Sequence, residues 1–469
     1  MSKQEERVWK QDVKLMKPAL GINEMPKSKF KFFIYGWQHT LVDVSPFIIP
    51  FVMAGALGYS DQIGVEMVQA GLIAMMFATL IQTIFGNKLP IMQGPSSTNM
   101  AAMITVGNVY GPAAMWSAAI VGGLFESAIG ASKILTLFRR FLPPYISGII
   151  IVSIGVSLGF TAANWVFDTE NTLHLLLAGV VIISVVTLTI LGRGGLISRG
   201  SVLFSLLLVG LGITSIFGVA NWQAVVEANW LSFPKPFKLL NEGGGFVILI
   251  GALIGVFIGY LGSIVESIGD YSTTCAASNE VYKVKHINRG ITAEGISASL
   301  AAMIGSIPVS SYSQNTGIIV TTKIASRYVV MLAAVIIGIY GLSPKVGSLL
   351  LVIPRPIIGA VFLVICGMII VTGMRLIGTA PANDYANYNI AIPLIMGICL
   401  PQVVPQDADW FTAIPSFFQL SLTNGVVCAT IIGIIMNILL NPIKKEQEEE
   451  IKREGQEIEQ ENKMEEEII

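Results

Sequence analysis

The sequence predicts an all-α protein that crosses a membrane many times. Three observations carry this reading. Of its 469 residues, 53% are hydrophobic and only 13% charged, where a soluble globular chain carries about 25% charged residues. The apolar residues also come in blocks long enough to cross a bilayer, which takes roughly 20 residues per helix. Residues 180–191, 202–214, 246–264, 329–339 and 426–440 form the centres of such blocks, too many for a water-soluble core to hide. Finally, the basic residues gather in alternate loops, as the positive-inside rule requires of a polytopic chain.

Marking apolar stretches between charged or turn-rich breaks gives fourteen spans: 32–57, 64–85, 93–108, 112–131, 142–163, 172–192, 199–219, 246–271, 290–306, 313–325, 327–342, 355–373, 387–403 and 418–440. With the N-terminus in the cytoplasm, the inner loops hold Lys88, Lys133, Arg139, Arg140, Arg193, Arg199, Lys283, Lys285, Arg289, Lys323, Arg327 and Arg375. The outer loops hold only Lys235, Lys238, Lys345 and Arg355, so the bias is twelve against four. Trp116, Trp165, Trp222, Trp230 and Trp410 fall near the outer face, where interfacial anchors belong. Both termini are therefore expected in the cytoplasm of a plasma-membrane protein. The first thirty residues are charged and lack an apolar signal core, so the first span itself is expected to direct insertion. The segment 1–31 and the glutamate-rich tail 441–469 read as solvated cytoplasmic extensions.

Two spans are short and broken. The third opens Leu89-Pro-Ile-Met-Gln-Gly-Pro-Ser-Ser-Thr-Asn99 before turning helix-like, and the tenth opens Ile307-Pro-Val-Ser-Ser-Tyr-Ser-Gln-Asn-Thr-Gly317. Irregular backbone at membrane depth is tolerable only where it lines a protein cavity. The start of a half-helix offers free N–H groups and positive dipole character to a polar or anionic solute. The two segments lie seven spans apart. Seven is odd, so a seven-span repeat is inverted, and paired interrupted helices at matching positions of two halves point to a transporter's midplane site.

Few carboxylates fall within the spans: Asp43, Glu126, Glu266, Asp270 and, near an end, Glu294. Each is expensive at that depth and hence a functional candidate. Glu266 and Asp270 stand at i and i+4 on one face of the eighth span. Two such carboxylates in low dielectric do not both ionise cheaply, which readies the pair for proton uptake. His39 and Asp43 repeat the spacing on the first span, after Gln38, and read as a structural hydrogen bond to neighbouring helices or as a proton relay. Glu126, one turn from Gly122 and Gly123, reads as a packing or hydrogen-bonding residue. His286 in a basic inner loop and His174 near an outer end suggest no role.

Other chemistry is excluded or unsupported. Cys275, Cys366, Cys399 and Cys428 stand singly in apolar segments, as small hydrophobes do. HExxH, GxSxG and clusters of His or Cys are absent, so no enzyme and no metal or other cofactor is expected. A net charge of −1 gives nucleic-acid binding no support.

The motifs resemble those of the nucleobase–ascorbate transporters, also called xanthine/uracil permeases. The family signature on the tenth span is Gln/Glu/Pro, Asn, any residue, Gly, four residues, Thr, then a basic residue or Gly. Gln314-Asn-Thr-Gly317-Ile-Ile-Val-Thr-Thr322-Lys323 matches it in full. Glu266-Ser-Ile-Gly-Asp270-Tyr is similar to the second signature. Ile287-Asn-Arg-Gly-Ile-Thr-Ala-Glu-Gly295 is similar to the usual start of the ninth span, and Gln38-His39 to the first-span pair. The chain departs from the pattern at Asp43, usually apolar, and at Ser-Ser-Thr-Asn99, where small residues and Phe are usual.

The resemblance implies fourteen spans in two inverted repeats, with short antiparallel strands in the third and tenth. It implies a core domain of spans 1–4 and 8–11 (32–131 and 246–342) and a gate domain of spans 5–7 and 12–14 (142–219 and 355–440). It further implies a homodimer through the gate domains and proton-coupled symport of a nucleobase as core slides against gate. By motif position, Glu266 would accept hydrogen bonds from the ring N–H groups of the base. Gln314 would pair with its carbonyl and imide edge, and the backbone near Ser313, with Ser97 and Thr98, would complete the pocket. Asn315 would brace the tenth helix, and Asp270 would tune or share the coupling proton, with Gln38, His39 and Asp43 as further support. Gln at 314 with Asp at 270 resembles members that handle xanthine and uric acid; the amide suits uracil's edge as well.

Overall fold

The computed structural model describes residues 15–42, 45–132, 144–380, 383–405 and 407–440. Helices α1 (Lys29–Val42), α2 (Ser45–Ala56) and α3 (Asp61–Ile84) lead into strand β1 (Gln93–Pro95) and the long helix α4 (Ser97–Ser132). Then come α5 (Pro144–Phe167), α6 (Thr172–Leu191), the single turn α7 (Leu196–Arg199) and α8 (Ser201–Ile216). Two short helices, α9 (Gln223–Glu227) and α10 (Lys238–Glu242), precede the second half of the chain. That half runs α11 (Ile250–Ala277), α12 (Val284–Met303), β2 (Val309–Ser311), α13 (Ser313–Thr322), α14 (Arg327–Gly341) and α15 (Pro344–Val352). It closes with α16 (Arg355–Ile377), α17 (Asp384–Val403), α18 (Asp409–Ala413), α19 (Ser416–Thr423) and α20 (Gly425–Leu440).

Among the described residues, eight helical stretches are long and apolar enough to cross a bilayer, counting α1 with α2 as one. A ninth is added if α14 and α15, bent by 72°, form one span; α8 and α20 are shorter apolar helices. Local chemistry sets several boundaries. Ser60 caps α3 by accepting from Ile63 N, and Asn171 and Asn383 cap α6 and α17 in the same way. The third and fourth predicted spans form one element, α4, kinked where Gly111 takes a positive φ of 83° just before Pro112. The seventh winds as a π-helix over Leu206–Ile213. The ninth begins at Val284 rather than near 290, so that His286 and Arg289 lie on a helix and not in a loop.

The broken spans pair with each other. β1 and β2 run antiparallel, with Gln93 opposite Ser311, Gly94 opposite Ser310 and Pro95 opposite Val309. Ser96 N donates to Pro308 O (2.9 Å) and Tyr312 N to Met92 O (3.0 Å), which extends the ladder at both ends. The pairing satisfies backbone that a lipid-exposed segment would leave bare. The Thr79 hydroxyl, 2.9 Å from Gln93 N, pins β1 to α3. Tyr312 lays its ring on Gly94 and donates to Pro95 O (2.8 Å); a Cβ at Gly94 would lie 2.6 Å from that ring.

Helices meet where small residues let backbones approach. A Cβ on Gly295 of α12 would lie 2.5 Å from Gly123 O of α4. In the same way α5 and α16 close on each other through Gly148 and Gly373. α4 packs against α11 and α12, and α3 against α2 and α14, while α16 packs against α5 and α6.

Three readings change with the structure. Trp116, expected at the membrane interface, is fully buried, whereas Trp222, Trp230 and Trp410 are exposed. Cys399 is exposed, unlike the other three cysteines. The stretch from Met16 to Glu24, expected to be solvated, docks on the ends of two helices. Met16 N donates to Ala276 O, and Leu20 forms a parallel bridge with Ile324. Asp43, Lys133, Arg139, Arg140 and the tail 441–469 lie outside the described residues.

Candidate functional site

The strand pair brings the starts of two half-helices together. α4 begins at Ser97 and α13 at Ser313, so the first N–H groups of both are at the same crossing. Ser96 caps α4 by accepting from Asn99 N (3.3 Å). α13 has no side-chain cap, which leaves its first N–H groups for a solute.

α11 runs past both starts and contacts each through a carboxylate. Thr98 Oγ1 donates to Glu266 Oε2 (3.3 Å), a long hydrogen bond and the one protein donor found for Glu266 among the described residues. Glu266 is half-buried. One turn on, Asp270 is buried and accepts from Ser311 Oγ of β2 (2.8 Å). A turn further, Thr274 and Thr316 share a hydrogen bond (2.7 Å) between α11 and α13. The i, i+4 pair thus reaches one broken span with each carboxylate.

The remaining predicted residues surround this crossing. Gln314 is exposed in the first turn of α13, and Ser97 is half-buried at the start of α4. Ser313 is the first residue of α13. Asn315 is buried, and its Oδ1 accepts a hydrogen bond from His39 Nδ1, which ties α1 to α13; an amide oxygen only accepts, so the proton sits on Nδ1. The Asn315 Nδ2 and Gln38 Oε1 atoms are buried without a partner.

A line of hydrogen bonds leads away from Asp270 to Glu294, already marked in the sequence as a carboxylate near a span end, through Ser267, Tyr271 and Gln82, which sequence reading did not single out. Ser311 N donates to Ser267 Oγ (3.2 Å), and Ser267 Oγ donates to Glu294 Oε1 (2.6 Å). Tyr271 OH donates to Glu294 Oε2 (2.7 Å), and Gln82 Nε2 donates to Tyr271 OH (2.8 Å). The Gln93 amide of β1 faces Glu294 without closing a hydrogen bond. For Ser267 and Tyr271 the one signal available in sequence is positional: they directly follow Glu266 and Asp270. Glu126, read as a packing or hydrogen-bonding residue, packs without hydrogen bonds. It is fully buried beside Glu294, and neither carboxyl oxygen has a partner. Among the described residues no group of His, Cys, Asp and Glu is arranged to hold a metal ion.

Residues 30–406 match the permease family of xanthine and uracil carriers. The chain belongs to that family. Members are permeases rather than enzymes. The xanthine permease XanQ of Escherichia coli is 27% identical over 429 residues, covering 86% of this chain and 89% of its own length. The uric acid permease PucK of Bacillus subtilis is 28% identical over 362 residues, covering 75% of this chain and 83% of its own. The nucleobase transporter PlUacP of Paenibacillus larvae is 26% identical over 434 residues, covering 90% and 97%. Among solved structures, the membrane domain of the cyanobacterial bicarbonate transporter BicA superposes with a TM-score of 0.55 at 12% identity, covering 89% of this permease and 99% of that domain. The murine anion transporter Slc26a9 in its inward-facing state gives 0.59 at 12% identity, covering 90% and 69%. The permease therefore has the inverted-repeat fold of those transporters, with its repeats meeting at β1 and β2.

Proposed function

We propose that this permease moves an oxidised purine base, of the xanthine or uric acid type, across the plasma membrane together with a proton. The observation that carries the reading is Glu266. It is a half-buried carboxylate where both broken spans start, held by a single long hydrogen bond from Thr98. Such a group has lone pairs left for the ring N–H donors of a base, in charge-assisted hydrogen bonds. The exposed Gln314 amide faces the solute with one donor and one acceptor, matching an alternating carbonyl and N–H edge. The uncapped start of α13 and the N–H groups at Ser97 and Thr98 supply further donors. The relatives named for xanthine, uric acid and nucleobases support the substrate class.

The neighbouring acids support proton coupling. Asp270 and Glu294 are buried beside the half-buried Glu266, and three neighbouring acids do not all carry charge together cheaply. A proton taken from one side and released on the other makes the Glu266 charge, and so affinity, depend on the facing side. We assign the movement to a core of α1–α4 and α11–α14 sliding past a gate of α5–α8 and α16–α20, with gates joining two copies and both termini cytoplasmic. Uptake of labelled xanthine into vesicles tests this reading. It should rise with an inward proton gradient, collapse with a protonophore and be competed by urate. A strict sodium requirement overturns the coupling ion, and no transport of any base overturns the function.

A second reading, a uracil permease, rests on Gln314, whose amide fits a pyrimidine edge equally well; competition by uracil but not by urate would select it. An anion exchanger on the same fold is disfavoured by the carboxylates at the centre, which repel anions.

A further inference from the structure

The end of the helix bundle on which the N-terminal stretch docks contains a cavity of about 340 Å³ whose lining includes neither Glu266 nor any other residue of the candidate site. Four segments meet there: the turn after α3, the start of α12, the start of α14, and Ile22 with Asn23 of the N-terminal stretch. Its lining carries Lys88, Lys285, Arg289 and Arg327 against a single carboxylate, Glu280. Among the described residues, none of the four cations is within ion-pair distance of a carboxylate.

Topology alone does not ask for this arrangement. Charges that keep a loop in the cytoplasm need only be near the surface. Here they surround a hollow together with unpaired buried donors. Asn87 is 4% exposed; its Oδ1 accepts from Leu89 N (3.0 Å), while its Nδ2 has no partner. Arg327 Nε is likewise buried and unpaired. An unmade hydrogen bond on a buried donor costs about 1–3 kcal/mol unless a ligand completes it. Lys88 adopts the left-handed region, φ 63°, which a lysine enters only at a cost.

We propose that this cavity binds a phosphate group, presented either by an anionic phospholipid headgroup or by a soluble phosphate ester. Four cations with forked and point-like donors match the tetrahedral oxygens and multiple charge of a phosphate better than a single carboxylate. The volume leaves room beyond the phosphate for a glycerol or a sugar. Because Ile22 and Asn23 form one wall, the bound phosphate fastens the N-terminal stretch to the inner ends of α3, α12 and α14. The site is independent of what the permease carries.

The test uses the full chain purified in detergent, with thermal unfolding followed by tryptophan fluorescence. The probes are sodium pyrophosphate, adenosine monophosphate and phosphatidylglycerol in mixed micelles, with potassium chloride at matched ionic strength as control. At least one phosphate probe should raise Tm by about 3 °C or more at saturation, and chloride should not. A shift with phosphatidylglycerol alone assigns the headgroup, and a shift with pyrophosphate or the nucleotide alone assigns the soluble ester. The double variant K285Q/R289Q should lose the shift, N87A should raise the half-saturating concentration about tenfold, and K283Q, outside the cavity, should keep it. If the double variant fails to fold, N87A and R289K decide. No shift with any probe, an equal shift with chloride, or an unchanged shift in N87A and R289K overturns the proposal.

Discussion

Two pairs of acidic residues sit in this permease within a few turns of each other, and they are held in opposite ways. Glu266 and Asp270 face the crossing of the broken spans, where Glu266 has one long hydrogen bond and Asp270 a single donor from β2. Glu294 and Glu126 lie at the tight seam between α12 and α4. Glu294 has both oxygens engaged by short hydrogen bonds, and Glu126 has neither. Partners saturate Glu294, which spares the fold the cost of a buried unpaired polar atom. A residue kept for a ligand leaves capacity unused but accessible, as Glu266 does. Glu126, unpartnered and inaccessible, fits neither description.

The comparison makes a graded set of predictions. The largest concerns Glu266→Gln. Losing the carboxylate removes the charge from two hydrogen bonds to the base, each worth about 1.5–3 kcal/mol, so uptake should fall by about 100-fold or more. Thermal unfolding should hardly change, since Thr98 is its one partner; retained uptake would break the contrast at its centre. Next is Gln314→Glu, which replaces an amide donor by a second acceptor. Purine uptake should weaken about tenfold with an altered substrate profile, and an unchanged profile means the ligand does not read this side chain.

Smaller effects fall on the seam. Tyr271→Phe deletes the hydroxyl that gives its proton to Glu294 and accepts from Gln82, leaving both without that partner. The cost should be about 1–3 kcal/mol of stability, read as a lower unfolding temperature, with substrate selectivity unchanged. The smallest expected effect belongs to Glu126→Met. With no hydrogen bond to lose, an apolar side chain of similar length should leave stability unchanged or raise it by roughly 1 kcal/mol. A loss comparable to that of Tyr271→Phe would show that the two seam acids are held alike.

How far the sequence discloses this site depends on whether a feature is local. Prolines and polar runs at Leu89–Asn99 and Ile307–Gly317 cannot form lipid-facing helix, so the broken spans are legible from residue types alone, while their strand pairing comes only with the family resemblance. The spacing of Glu266 and Asp270 likewise fixes a common face. What escapes is whatever depends on which helix lies opposite. Glu126, one turn from Gly122 and Gly123, reads as a packing or hydrogen-bonding residue; that it packs unpartnered shows only once α12 lies on α4, through Gly295 on Gly123. Trp116 looks interfacial from its place in the chain and is buried because its helix packs inward. The stretch from Met16 to Glu24 belongs to a segment whose charges suggest a solvated extension, yet its backbone finds partners at the ends of α11 and α13. Ser311 is the instructive case: it lies in a segment already marked, but its contact with Asp270 is set by the strand register.

That register also dictates an order of events at the ribosome. β1 lies in the first half of the chain, and the groups at the two ends of its ladder, Met92 O and Ser96 N, obtain their partners from the second half, Tyr312 N and Pro308 O. While the intervening residues are still being synthesised and threaded into the membrane, those groups have no permanent mate, whereas Gln93 already has Thr79. The first repeat is therefore not a finished unit when it emerges, and its last hydrogen bonds form only when the second arrives. Expressed as two separate halves, the permease should recover its native form only when both are made in the same membrane.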